Sequence, residues 1–104
     1  MSIANTDFEE KVASKTHEQV VKPPFYRVLL HNDDYTTMEF VVQVLMHVFN
    51  KTAENATRIM LDIHKKGIGL CGVYSYEIAE TKVDRVHYLA KEHGFPLRCS
   101  MERE

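Results

Sequence analysis

The chain reads as an α+β domain, a three-stranded antiparallel sheet packed against three helices in the order β-α-α-β-α-β. Three observations predict this. Short runs rich in β-formers at residues 25–30, 68–74 and 97–101 are separated by segments whose apolar residues recur at helical spacing. Pro, Gly, Asn and Asp punctuate the junctions. Three short strands cannot close a barrel, so helices must cover one face of the sheet.

Taken in order, Pro23-Pro24 favours an extended entry and blocks a helix, which makes residues 25–30 (Phe-Tyr-Arg-Val-Leu-Leu) the first strand. Asn32, Asp33 and Asp34 follow at a strand-to-helix corner. Such residues make turns, since both types cap and tolerate unusual backbone angles. Gathered beside an apolar stripe, the same amide and carboxylates suit a cationic ligand. Thr36 and Glu39 have the spacing of a capping box, which predicts a helix start at about Thr37. Met38, Val41, Val42, Leu45, Val48 and Phe49 lay one apolar stripe along that helix.

A second helix is predicted over residues 53–66, capped by Thr52 and stopped by a left-handed Gly67, with Ala56, Ile59, Met60 and Ile63 buried. The glycines of the run 68–74 hint at a bulge or a close backbone approach in the second strand. Ser75 can cap a third helix over residues 76–93, with Ile78, Ala79, Val83, Val86, Leu89 and Ala90 inward and Gly94 ending it. Pro96 permits only an extended exit into the third strand.

At 104 residues this is one domain, able to bury roughly 60–70% of its unfolded surface without staples. Residues 1–22 are mostly polar and read as a flexible amino-terminal tail; residues 23–104 form the folded domain. A net charge of -2 and scattered Lys and Arg exclude a cationic field for nucleic acid. No apolar run approaches the ~18 residues of a membrane span, and no signal-peptide core precedes the domain, so a cytoplasmic location is expected; the domain is read as a monomer. Cys71 and Cys99 fit neither a disulfide framework nor a CxxC motif and are expected reduced in the core. The six histidines make no HxxxH pair or Cys/His cluster, so neither metal nor cofactor is expected. An acid–base enzyme built on Asp34 and His64 lacks a GxSxG nucleophile, a partnered Cys or a phosphate-binding glycine loop.

Three separated motifs add a resemblance. Asn32-Asp33-Asp34-Tyr35-Thr36 running into Met38-Glu39-Phe40-Val41, then Cys71-Gly72-Val73, then Glu77-Ile78-Ala79-Glu80-Thr81-Lys82-Val83 is similar to the ClpS family of protease adaptors. The resemblance spans about residues 24–102 and implies a fold of three strands and three helices. It further implies recognition of N-degrons, meaning free amino termini beginning with Leu, Phe, Tyr or Trp, and their delivery to a Clp AAA+ unfoldase and its peptidase. An α-ammonium carries three donors and needs convergent acceptors. By resemblance these are Asn32, Asp34 and a neutral His64, which lies one turn after Met60. The first side chain would enter an apolar pocket of Thr36, Met38, Val41, Met60, Ile63 and Leu97, with Met38 as a gate against β-branched guests. Resemblance makes Glu77 and Lys82 contacts to the amino-terminal domain of a ClpA-like unfoldase, and assigns the tail to delivery.

Two positions depart from the family pattern. Thr37 stands where proline is common, so the corner lacks the fixed φ that favours the first helical position. His31 replaces the usual aliphatic residue before Asn32. A competing architecture, a scaffold domain like the carboxy-terminal domain of the ribosomal stalk protein, has no use for the Asn32, Asp34 and His64 combination.

Overall fold

A computed structural model describes residues 22–104. Apart from Lys22, the expected tail over residues 1–22 lies outside the described residues. The elements are β1 (Phe25–His31), α1 (Met38–His47), α2 (Ala53–Lys66), β2 (Ile68–Ser75), α3 (Tyr76–Glu92) and β3 (Arg98–Arg103). This is the predicted α+β order. β1 is the central strand, antiparallel to β2 on one side and β3 on the other.

β1 takes the centre because it carries the densest apolar run, and Val28, Leu29 and Leu30 are all buried. Strand alternation sends Val28 and Leu30 into the core beneath the helices. There they meet Phe40, Val41, Val44 and Leu45 of α1, Ala56, Met60 and Ile63 of α2, and Ala79, Val86 and Ala90 of α3. The glycines of β2 have the consequences their spacing suggests. Val28 pairs with Gly72 and Leu29 with Leu70, leaving Cys71 as the extra residue of a bulge. A Cβ on Gly69 would sit 2.5 Å from Ile63 Cγ1, so the bare backbone lets α2 lie against the sheet. Cys71 and Cys99 are free and buried; burial pushes both thiols up, Cys99 to about 12, as inert core residues require.

Helix ends follow local chemistry. α2 has Thr52 Oγ1 accepting from Asn55 N–H at 3.2 Å and Gly67 left-handed at φ 87°, as read from the sequence. α1 differs by one residue from the predicted capping box. Thr37, not Thr36, is the N-cap, its hydroxyl accepting from Phe40 N–H at 3.1 Å, and the helix starts at Met38. The Thr36 hydroxyl is turned instead to Asp33, donating to its Oδ2. Thr37 therefore does not occupy the first helical position, and its φ of -71° is held by a cap bond instead of a ring. Two further corrections concern α3. Ser75 flanks it without a side-chain cap bond, and Ile78 is half-exposed. The inward face is set by Ala79, Val86 and Ala90, and Ile78 sits about 100° off it.

Candidate functional site

The corner between β1 and α1 is built by two anchors. Asn32 N–H donates to Gly67 O at 2.9 Å, which ties the end of β1 to the stop of α2. Asp33 then organises the turn: Oδ1 accepts from Tyr35 N–H at 2.8 Å and Thr36 N–H at 2.6 Å, and Oδ2 accepts the Thr36 hydroxyl at 2.7 Å. Partial burial alone would raise the Asp33 carboxyl. The bonds from Thr36 and Tyr35 outweigh it and hold the group below the usual carboxylate range. With the turn and the α2 terminus pinned together, the corner closes over a cavity of about 240 Å³.

Its wall has two halves. Asn32, Asp33, Asp34, Thr36 and His64 form the polar half; Met38, Val41 and Met60 form the apolar half. Asp33 is consumed by the turn, whereas Asn32 and Asp34 are exposed. Among the described residues, the side chains of Asn32, Asp34 and His64 make no hydrogen bond to another protein group. An amide, a carboxylate and an imidazole therefore line one concavity with their acceptor capacity open. Val41 and Met60 are buried and belong to both core and cavity, while Met38 is 47% exposed at the first turn of α1. The volume lies below the roughly 300–1,000 Å³ of pockets that bury drug-sized ligands, which suits one side chain with its backbone end.

Seven residues expected at the substrate site, Asn32, Asp34, Thr36, Met38, Val41, Met60 and His64, thus line one cavity. Ile63 and Leu97 do not line it; at 2% and 4% exposure they sit in the core. Asp33, one of three corner residues whose types already suit a turn, carries the Asp-x-x-Thr spacing of a local side-chain cap, and its bonds to Tyr35 and Thr36 single it out as the anchor. Away from the cavity, Glu77 is exposed in the first turn of α3. Lys82 is not a free surface cation: its Nζ donates to Val48 O at 2.6 Å and lies 5.7 Å from the Phe49 ring centroid and 5.1 Å from that of Tyr74. It thereby fastens the C-cap of α1 to α3. Among the described residues, no three His, Cys, Asp or Glu side chains are grouped to hold a metal ion, and no helix is long and apolar enough to cross a membrane.

Comparison with known proteins gives these features a family. The family model for the ATP-dependent Clp protease adaptor protein ClpS matches residues 21–100. An ATP-dependent Clp protease adapter protein ClpS from Desulforapulum autotrophicum is 56% identical over the full length of both chains. Another, from Lawsonia intracellularis, is 61% identical over 82% of this chain and 78% of its own. Among solved structures, Agrobacterium tumefaciens ClpS2 bound to L-phenylalaninamide superposes with a TM-score of 0.78 at 42% identity, covering 80% of this chain and all of that one. The chain therefore belongs to the ClpS family, adaptors of the ATP-dependent Clp protease that are not themselves enzymes.

Proposed function

We propose that this adaptor captures the free amino terminus of proteins beginning with Leu, Phe, Tyr or Trp and delivers them to a ClpA-like unfoldase and its peptidase. The observation that carries the reading is the pairing, in one small cavity, of three unengaged acceptors with an apolar wall. An α-ammonium has three N–H donors and one positive charge. Asn32 and His64 supply neutral acceptors, and Asp34 supplies the charge that makes its hydrogen bond strong. The adjoining side chain passes Met38 and rests against Val41 and Met60. Methionine is flexible and polarizable, so it adapts to aliphatic and aromatic guests alike. L-phenylalaninamide, the molecule bound to the Agrobacterium relative, has the same two parts, an α-amine and a benzyl side chain.

Delivery belongs to other surfaces in this reading. Glu77 and Lys82 on α3 contact the amino-terminal domain of the unfoldase, and residues 1–22 serve transfer of the substrate, with the adaptor acting as a cytoplasmic monomer. The test is fluorescence anisotropy with peptides that differ only at residue one, paired with degradation of a matching substrate by the Clp unfoldase and peptidase. Leu, Phe, Tyr and Trp peptides should bind and be degraded faster when the adaptor is present. Equal binding of Ala- and Asp-initiated peptides would overturn the specificity.

A further inference from the structure

β3 is an edge strand, with β1 on one side and, among the described residues, no strand on the other. An antiparallel edge turns every second N–H away from its partner strand, and such a group needs another acceptor. Cys99 finds one in a side chain: its N–H donates at 3.0 Å to Nε2 of His87, on α3. Cys99 is 3% exposed, so water is a poor substitute there. This bond fixes the state of the ring. Nε2 must carry a lone pair, which makes the imidazole neutral with its proton on Nδ1; a protonated ring has no acceptor left. The next residue of β3 is held by a second imidazole on the opposite face of the sheet, where His31 Nε2 and Ser100 Oγ lie 2.6 Å apart.

His87 has Asp84 and Lys91 one turn before and after it on α3, and Arg98 adjoins Cys99 on β3. β1 and β2 turn Tyr26, Tyr74 and the Cys71 thiol towards the helices, groups of types that carry no charge between about pH 5 and 7. On the open face His31 stands opposite Arg98 of β3 and Ile68 of β2, while Arg27 and Glu102, further along, are paired with each other. Burial and then the Arg98 charge hold His31 below the usual imidazole range. Its contribution to stability is therefore complete above that range and is lost as pH falls through the folded value.

We propose that the two imidazoles form a clasp on residues 98–100 of β3 that holds at neutral pH and opens below about pH 6, slackening the brace behind the substrate corner. In acid His87 releases the Cys99 N–H, and His31 becomes a second cation directly opposite Arg98, a cross-strand pair that repels. β3 grips β1 at Leu30 and His31, and Asn32 follows directly, so loosening the grip frees one side of the corner. The effect on the corner rests on the proposed function; the clasp does not.

The test is NMR on the full chain at about pH 7.5 and 5.5, either side of the imidazole range, comparing wild type with His87→Gln and with His87→Gln combined with His31→Gln. Glutamine offers an acceptor and does not titrate, and His87 is exposed, so both variants should fold. At the higher pH the His87 ring nitrogens should report the Nδ1–H tautomer. Exchange protection of the Cys99 amide, corrected for the intrinsic pH dependence of exchange, should fall about tenfold or more between the two values in wild type and hold in His87→Gln. A proton on Nε2 in the neutral ring, or an equal loss of protection in both proteins, would overturn the clasp. Affinity for a Leu-initiated peptide should also fall in acid, and fall less in the double variant, where His64 remains to titrate in the cavity. Equal falls would overturn the brace. Absence of peptide binding by wild type at the higher pH would end the amino-terminus reading, with the clasp still decided by the tautomer and the amide.

Discussion

Asp33 and Asp34 are chemically identical neighbours, the first bound into the turn and the second proposed to meet the ligand, so exchanging each for alanine should produce opposite signatures. In Asp33→Ala, Tyr35 N–H, Thr36 N–H and the Thr36 hydroxyl lose their acceptor. The turn is partly open to water, which replaces some of those bonds, so the loss resembles that of a helix cap, about 1–2 kcal/mol. For a domain of this size that lowers the melting temperature by roughly 4–16 °C. Asp34→Ala removes no protein hydrogen bond, and its melting temperature should stay at the wild-type value. On the proposed function it removes the charged acceptor for the ammonium, worth about 1.5–3 kcal/mol, or about 10- to 150-fold in affinity. Anisotropy with a Leu-initiated peptide and thermal unfolding of the same samples read both effects. The Asp33 contribution has a defined pH window. Its carboxyl is held below the usual range in the folded chain, so its stabilisation is complete above that range and fades as pH falls through the folded value. The gap in stability between wild type and Asp33→Ala should therefore shrink below about pH 4. A melting loss confined to Asp34→Ala, or a greater affinity loss in Asp33→Ala, would refute the assignment of turn and ligand roles.

Met38→Ala, which trims a half-exposed side chain at the cavity, should raise the affinity of Ile- and Val-initiated peptides relative to Leu in competition binding. An unchanged ratio would make Met38 a packing residue only. Lys82→Ala should destabilise the fold by about 1–3 kcal/mol in urea unfolding, because it frees Val48 O and uncovers the Phe49 and Tyr74 rings. Glu77→Ala should leave stability within about 0.5 kcal/mol. Both substitutions should spare peptide binding and weaken the unfoldase complex. Deleting residues 1–22 should leave peptide affinity intact and slow degradation in the reconstituted protease; lost affinity would place the tail in the binding site.

The fold was legible wherever one residue type announces one backbone state. Thr52 and Gly67 bound α2 because a hydroxyl N-cap and a left-handed glycine have few substitutes, and both ends lie where their spacing puts them. Two adjacent threonines at the start of α1 are not separable by that logic. The Thr36 hydroxyl turns to Asp33 and that of Thr37 to the Phe40 N–H, and a pattern of types does not encode that division. Ile78 failed for a related reason: an apolar stripe two residues wide leaves the helix phase open until tertiary packing selects Ala79. At the site, composition and spacing supplied an acidic corner and an apolar stripe, and only the family resemblance singled out Asn32, Asp34 and His64. The bond from Lys82 to Val48 O joins residues 34 positions apart. Contacts of that range have no local signal.

The central claim is that the cavity holds a free α-ammonium together with the side chain beside it. The most direct measurement is the affinity of two peptides that begin with the same Leu or Phe, one with a free amino terminus and one N-acetylated. Acetylation removes the charge and two of the three donors while leaving the side chain untouched. The acetylated peptide should bind at least about tenfold more weakly, from the loss of charged hydrogen bonds to Asn32, Asp34 and His64. Equal affinity for the two peptides would contradict it.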